Sequence, residues 1–234
     1  LITKDHKELK TSVKIATFNP MKKALVSGAT GLIGTALVNQ LVASNEYDEI
    51  SCLVRKTSEV TSPKITQIVV DYSDLTQQFQ HITADCAFCC LGTTLKVAGS
   101  KERQYEIDHD YVVHFATMCH SIGIPMFMVI SSIGARVSTS NFYLRTKGEM
   151  ERDCLAINFK KTVILRPSFL LGDRKEFRLG EKIGVVFMKG LSFLLIGSLR
   201  KYRAIHVDRI AKRMIELSLE NSVEKTVILE SNEI

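Results

Sequence analysis

Short unbroken apolar runs recur along the chain, each ending at a turn, and apolar residues at helical spacing follow several of them. "KALVS" (23–27) stops at a glycine and leads into "LIGTALVNQLVAS" (32–44), while "EISCLVR" (49–55) and "ITQIVVD" (65–71) read as a second and third strand. "CAFCCLG" (86–92), "MFMVISS" (126–132) and "KTVILRP" (161–167) read as the fourth, fifth and sixth. A long helical pattern follows the fourth, and a helix carrying Tyr143 follows the fifth. Strands that are apolar throughout are covered on both faces, and their alternation with helices is the pattern of a parallel sheet. Right-handed crossovers make this an α/β, doubly wound, mostly parallel Rossmann-type sheet with its ligand crevice at the carboxyl ends of the strands. The regularity breaks after about residue 167. The expected organisation is an N-terminal extension or leader at 1–20, a dinucleotide-binding core at 21–167, and a small irregular C-terminal substrate subdomain at 168–234 within the same domain.

The turn after the first run is "GATGLIG". Its glycines, Gly28, Gly31 and Gly34, let the chain turn tightly and approach a pyrophosphate, and the helix start that follows offers amide donors and a partial positive charge. Thr30, Leu32 and Ile33 complete the expected phosphate loop. The spacing is G-x-x-G-x-x-G, and no Gly-Lys-Ser/Thr follows, so it is not a P-loop. At the end of the second strand, where an acid would bond the adenosine ribose of NAD, the chain reads "CLVRKTSE". Arg55 and Lys56 there favour a 2′-phosphate, so the expected cofactor is NADP(H). Asp71 and Tyr72 close the third strand as adenine-side contacts, with Asp71 or Ser73 equally readable as an N-cap. Leu91, Gly92, Thr93 and Thr94, at the end of the fourth strand, are expected to lie against the cofactor.

"NFYLRTKGEME" (141–151) puts Tyr143 and Lys147 on one face of a helix, one turn apart. Ser132 lies eleven residues earlier, at the end of the fifth strand. A free tyrosine ionises near pH 10, and an adjacent ammonium favours the phenolate. The three are therefore candidates for carbonyl chemistry: Tyr143 as acid/base, Lys147 as its tuner and ribose anchor, and Ser132 as the hydrogen-bond donor that orients the substrate oxygen.

"GATGLIG", "VISSIG" and "YLRTK" resemble the glycine loop, serine and Tyr-x-x-x-Lys of the short-chain dehydrogenase/reductase superfamily. "FCCLGTT", "DHDYV", "YLRTKGEME" and "LRPSFLLGDRKEFRLGE" resemble the Tat-interacting protein family, an atypical branch of it. The resemblance implies a Rossmann core, bound NADPH and, for animal members, a proposed regulatory role. It also implies that the loop carrying Arg166 and Pro167 lies against the nicotinamide end. "IHVDRIAKRMI" (205–215) looks more like the extended sugar-nucleotide branch. The superfamily commonly has an asparagine on the helix after the fourth strand, and the matching position here is Asp108, in "YEIDHDY". It is left outside the expected catalytic set.

Composition narrows the remaining classes. The 234 residues carry a net charge of +6, and no basic run is interleaved with aromatics, so nucleic acid is not an expected partner. Of six cysteines, Cys86, Cys89 and Cys90 lie in an apolar run that reads as a buried strand, and no second Cys pair or Cys/His pair sits at a zinc-ligand spacing, so no metal is expected and the thiols read as free in a reducing compartment. The most apolar window, "IGVVFMKGLSFLLIGSL" (183–199), is too short and interrupted to span a membrane and offers a contact surface for a protein partner. Asp173, Arg174 and Arg178 read as surface ion pairs or an anion site, and His206 as a packed or hydrogen-bonded side chain. A cytoplasmic location is the expectation, since no secretory signal is present. Three function classes follow: an NADPH-dependent oxidoreductase acting on a carbonyl or alcohol, an NADP(H)-sensing protein acting through a partner, and a sugar-nucleotide epimerase or dehydratase.

Overall fold

A computed structural model describes residues 20–58, 61–75, 79, 81–172 and 197–234. Among them, seven strands form one parallel sheet in the order β3-β2-β1-β4-β5-β6-β9. These are β1 (Lys22–Ser27), β2 (Tyr47–Val54), β3 (Ile65–Val69), β4 (Cys86–Cys89), β5 (Met126–Ile130), β6 (Lys161–Arg166) and β9 (Thr226–Glu230). A pair of two-residue strands, β7 (Leu170–Leu171) and β8 (Ile205–His206), lies apart from it. The order reverses between β1 and β4, which makes the carboxyl ends of those two strands the switch point where such sheets bind ligands.

Neighbouring residues of a central strand feed opposite layers, as a pleated strand requires. Leu25, Ala87 and Phe127 face α4 (Tyr111–Ser121) and α5 (Phe142–Ala156), packing with Phe115, Met150 and Phe159. Val26, Phe88 and Met128 face α1 (Leu32–Ala43) and α6 (Val207–Leu219), packing with Leu37, Leu41, Ile210 and Met214. Both layers exclude water, which is why these strands carry no polar alternation. α4 is entered through two short helices, α2 (Leu95–Ala98) and α3 (Lys101–Tyr105), and a π turn at Glu106–Asp110.

Two regular elements follow in the C-terminal part expected to be irregular: α6 packs on α1, and β9 extends the sheet beyond β6. The buried positions of α6, Val207, Ile210, Ala211, Met214, Leu217 and Ser218, follow a helical stripe. Two lysines hold its end. Lys161 Nζ, on β6, donates to the carbonyls of Leu217 at 3.0 Å and Glu220 at 3.3 Å, and Lys22 Nζ, on β1, donates to Ser218 at 3.1 Å. They satisfy carbonyls that a helix terminus leaves unpaired. The fourth, fifth and sixth strands also end one to three residues earlier than their apolar runs, because the chain turns out into the crevice there.

No helix among the described residues is long and apolar enough to cross a membrane, and no group of three or more His, Cys, Asp or Glu is placed to hold a metal. All six cysteines are free, five of them buried. Residues 1–19, Asp173, Arg174, Arg178 and positions 183–196 of the apolar window lie outside the described residues.

Candidate functional site

The glycine loop is built by close approach. Gly28 has φ +78°, and a side chain there would sit 2.6 Å from the carbonyl of Cys90, so the loop lies directly on the end of β4. At Gly34 a Cβ would stand 2.0 Å from the Gly28 oxygen, so the loop folds back onto the first turn of α1. Gly31 is the N-cap of α1, its amide donates to Gly28 O at 3.0 Å, and no side chain caps the helix. The first turn carries no acid either, so the amides and positive end of α1 face outward for an anion. Thr30 and Gly31 are exposed and Leu32 is half-buried, whereas Ile33 belongs to the core beneath the sheet. Only its backbone is available to a ligand. Gly172, after β7, fits against Leu32 and Val207, so this short strand lies beside the start of α1.

Beside the loop, Ala29, Thr30, Asn39, Ser58 and Gln67 line a small cleft along β2 and β3. Gln67 pins the segment after β2. Its Oε1 accepts from the Ser58 amide at 2.7 Å, and its Nε2 donates to the Ser58 carbonyl at 2.9 Å. Arg55 and Lys56 are exposed immediately past β2. Asp71 turns out to cap a turn: its Oδ1 accepts from the Ser73 amide at 2.9 Å and hydroxyl at 2.7 Å. Tyr72 is 4% exposed, its hydroxyl lies 2.8 Å from Ser27 Oγ, and it donates to Leu53 O at 3.2 Å. Its ring stacks on Tyr111 at 5.6 Å. This side chain supports the switch point from below.

On the far side, α5 starts with Asn141, whose Oδ1 accepts from the Leu144 amide at 3.0 Å. At Gly148 a Cβ would stand 2.4 Å from the backbone of Arg136, which fixes how closely α5 approaches the loop after β5. That approach buries Lys147, next to it, to 3% exposure, with half-buried Tyr143 one turn before. Lys147 Nζ lies 3.4 Å from Oδ1 of Asp108, which is fully buried. The same carboxylate accepts from the Thr93 amide at 3.0 Å and from Gln104 Nε2 at 3.3 Å. Burial pushes the ionisation of Lys147 down, but Asp108 and then Tyr143 push it up, and the net direction is up. Gly92 is needed here too, since a Cβ would come within 3.3 Å of Asp108 Oδ1 and 4.0 Å of Lys147 Nζ. Leu91 packs against the α4–α5 side of the core.

Asp108 is thus the site residue that the sequence reading left out. Its signal was positional, a match to the superfamily's asparagine; the π turn that aims it inward had no sequence signature. Ser132 is half-buried, and its carbonyl accepts from the Ala135 amide at 3.0 Å. Its neighbour Ser131 is 4% exposed. The Ser131 hydroxyl and Thr94 Oγ1 are buried without a hydrogen-bond partner among the described residues. The Arg166 guanidinium is committed to Glu151 (2.9 and 2.5 Å) and Glu230 (3.1 Å). Pro167 contributes its carbonyl, which accepts from the Ile133 amide at 3.0 Å and ties the loops after β5 and β6 together. His206 is a cap, its Nδ1 accepting from the Asp208 amide at 3.3 Å.

A glycine loop with no room for side chains, an uncapped helix start at a switch point, and two unpartnered buried hydroxyls in the segments after β4 and β5 suit a dinucleotide. A family model described as NAD(P)H-binding matches residues 28–186. The chain belongs to this NAD(P)H-binding family. Within it, the chain is 33% identical over 217 residues to Protein FMP52, mitochondrial, of Eremothecium gossypii, covering 90% of this chain and 95% of the relative. A Kluyveromyces lactis protein of the same name is 32% identical over 220 residues, covering 90% and 96%. Among solved structures, MoeE5 in complex with UDP-glucose and NAD superposes with a TM-score of 0.64 at 16% identity, over 88% of this chain and 75% of that one. WbmG of Bordetella bronchiseptica in complex with NAD superposes at 0.66 and 11%, over 92% and 74%. The structural likenesses establish the fold, a Rossmann-type sheet. Two expectations change. The resemblance to Tat-interacting proteins reduces to this wider NAD(P)-binding group, because the relatives are FMP52 proteins. The cytoplasmic expectation is overturned, because those relatives are mitochondrial by name.

Proposed function

We propose that the protein is a mitochondrial NADP(H)-dependent oxidoreductase that interconverts a carbonyl and an alcohol, with Tyr143 as acid/base. The observation that carries the reading is Lys147, buried one helical turn from Tyr143 and beside Gly92 in the segment that follows β4. The bound cofactor would supply or accept the hydride. The chain's own residues would manage the oxygen: Tyr143 donates its proton there in reduction, and Ser132 holds the same atom by a hydrogen bond. Lys147, one helical turn from the phenol, would anchor the ribose. Gly28, Thr30, Gly31, Leu32 and Gly34 would hold the pyrophosphate on the amides of α1. Arg55 and Lys56, exposed where NAD-specific sites carry an acid, support the 2′-phosphate form.

The test is NADPH consumption against aldehydes, ketones and quinones by wild type and Tyr143→Phe, after both are shown to bind NADPH. Turnover by wild type alone would support the assignment, and full activity in the variant would sink it. Binding without turnover by either protein would favour the cofactor-responsive partner-binding reading. NADH binding as tight as NADPH would overturn the role given to Arg55 and Lys56.

A further inference from the structure

Among the described residues, the groups that meet the Asp108 carboxylate are donors: the Thr93 amide, the Gln104 side-chain amide and the Lys147 ammonium. With Lys147 Nζ 3.4 Å from Oδ1, the two buried side chains form a closed ion pair. The charge it neutralises is the one that would otherwise favour a Tyr143 phenolate. We propose that Asp108 is a positioning residue that holds Lys147 in an internal ion pair and so keeps Tyr143 a proton donor, setting the site for carbonyl reduction over alcohol oxidation. The inference rests on the reading of Tyr143 as acid/base.

In the reductive direction, a hydride arrives at the carbonyl carbon as the C=O π pair moves to oxygen, and the Tyr143 O–H bond breaks to protonate that oxygen. A bound reduced cofactor would supply that hydride, the carbonyl would become an alcohol, and the Tyr143 phenolate would recover its proton from water. Oxidation requires the phenolate beforehand, and a neutralised Lys147 makes it scarcer near neutral pH. Other titratable groups facing Lys147 do not compete. Cys89 of β4 is pushed up to about 12 by burial, and burial also raises Cys154 on α5, so both thiols stay neutral across the working range. An asparagine at 108 would keep the shape. It can accept from Thr93 on one side and meet a turned-over Gln104 on the other, so Asp108→Asn removes charge with little change in packing.

The experiment follows phenolate absorbance during alkaline titration of the full chain without cofactor, so it does not depend on turnover. In Asp108→Asn, one tyrosine should ionise about one pH unit lower than in wild type, as expected for losing a nearby carboxylate. The change should vanish in Asp108→Asn/Tyr143→Phe. A merely structural Asp108 would lower the melting temperature and leave the phenolate titration unmoved. Titration curves that coincide, or a shift that survives Tyr143→Phe, would overturn the proposal. Asp108→Asn/Lys147→Met replaces a neutral pair by a neutral pair and covers the case in which the single variant does not fold. Its Tyr143 should titrate close to wild type, and a displacement of a unit or more would count against the idea. If a substrate is found, Asp108→Asn should also shift the oxidation-to-reduction rate ratio at neutral pH about tenfold toward oxidation, in step with one pH unit. An unchanged ratio would contradict the proposal.

Discussion

Lys147→Met removes one half of a fully buried ion pair. In the variant, Asp108 keeps the Thr93 amide and Gln104 as donors but loses its only cation among the contacts it makes in the structure. Breaking one side of a buried pair costs about 3–5 kcal/mol, because the surviving charge stays buried. The two remaining hydrogen bonds put this site near the lower end, about 3 kcal/mol. In a chain of this size each kcal/mol moves the melting temperature by about 2–4 °C, so the drop should be about 6–12 °C. Asp108→Asn/Lys147→Met removes both charges and should return to within about 1 kcal/mol of wild type, since a buried pair is near break-even against neutral groups of similar size. The assay is urea unfolding of wild type, both single variants and the double variant without cofactor, read as a double-mutant cycle. The reasoning predicts a coupling of about 2 kcal/mol or more. A Lys147→Met loss below about 1 kcal/mol, or a double variant equal to the sum of the singles, would refute it.

Other perturbations test the opposite end of the crevice. Gly34→Ala places a Cβ 2.0 Å from the Gly28 oxygen, so the loop must shift. The strain should be about 1–3 kcal/mol, and NADPH affinity should fall at least about tenfold in a binding titration; wild-type affinity would contradict the loop geometry. Tyr72 tests the support beneath the switch point: burial pushes its ionisation to about 12, above about 10 for the unfolded chain. The unfolded state therefore releases this proton first, so the contribution present below about pH 10 is lost as pH rises through the window to about 12. In alkaline unfolding, wild type should lose about 2 kcal/mol more across that window than Tyr72→Phe, and parallel curves would refute the assignment.

The legible and illegible parts divide by range of interaction. The glycine loop could be read because three glycines between an apolar run and a helix meet a steric need, and the need proved literal at Gly28 and Gly34. Tyr143 and Lys147 share a face because helical spacing is a local rule. Arg166 and Tyr72 both stand near the strand ends that border the crevice. Where a side chain points there depends on partners distant in sequence: Glu151 and Glu230 for the arginine, and Ser27 and Leu53 for the tyrosine. The helical stripe of α6 was present in the residues but was read as continuing irregularity after residue 167. The cytoplasmic expectation rested on the lack of a secretory signal, which does not distinguish among compartments inside the cell.

By itself, the order of apolar runs, turns and helical periods determined the doubly wound sheet, its crevice and the nucleotide loop, because backbone pairing and strand–helix alternation follow from local pattern. Only the tertiary structure decided the charge balance of the candidate site. Asp108 and Lys147 lie 39 positions apart, and nothing in either neighbourhood announces a pair. A π turn rotates one inward, and the fit of Gly148 against Arg136 fixes how closely the helix carrying the other approaches. The 3.4 Å contact between them exists only once both layers have packed on the sheet.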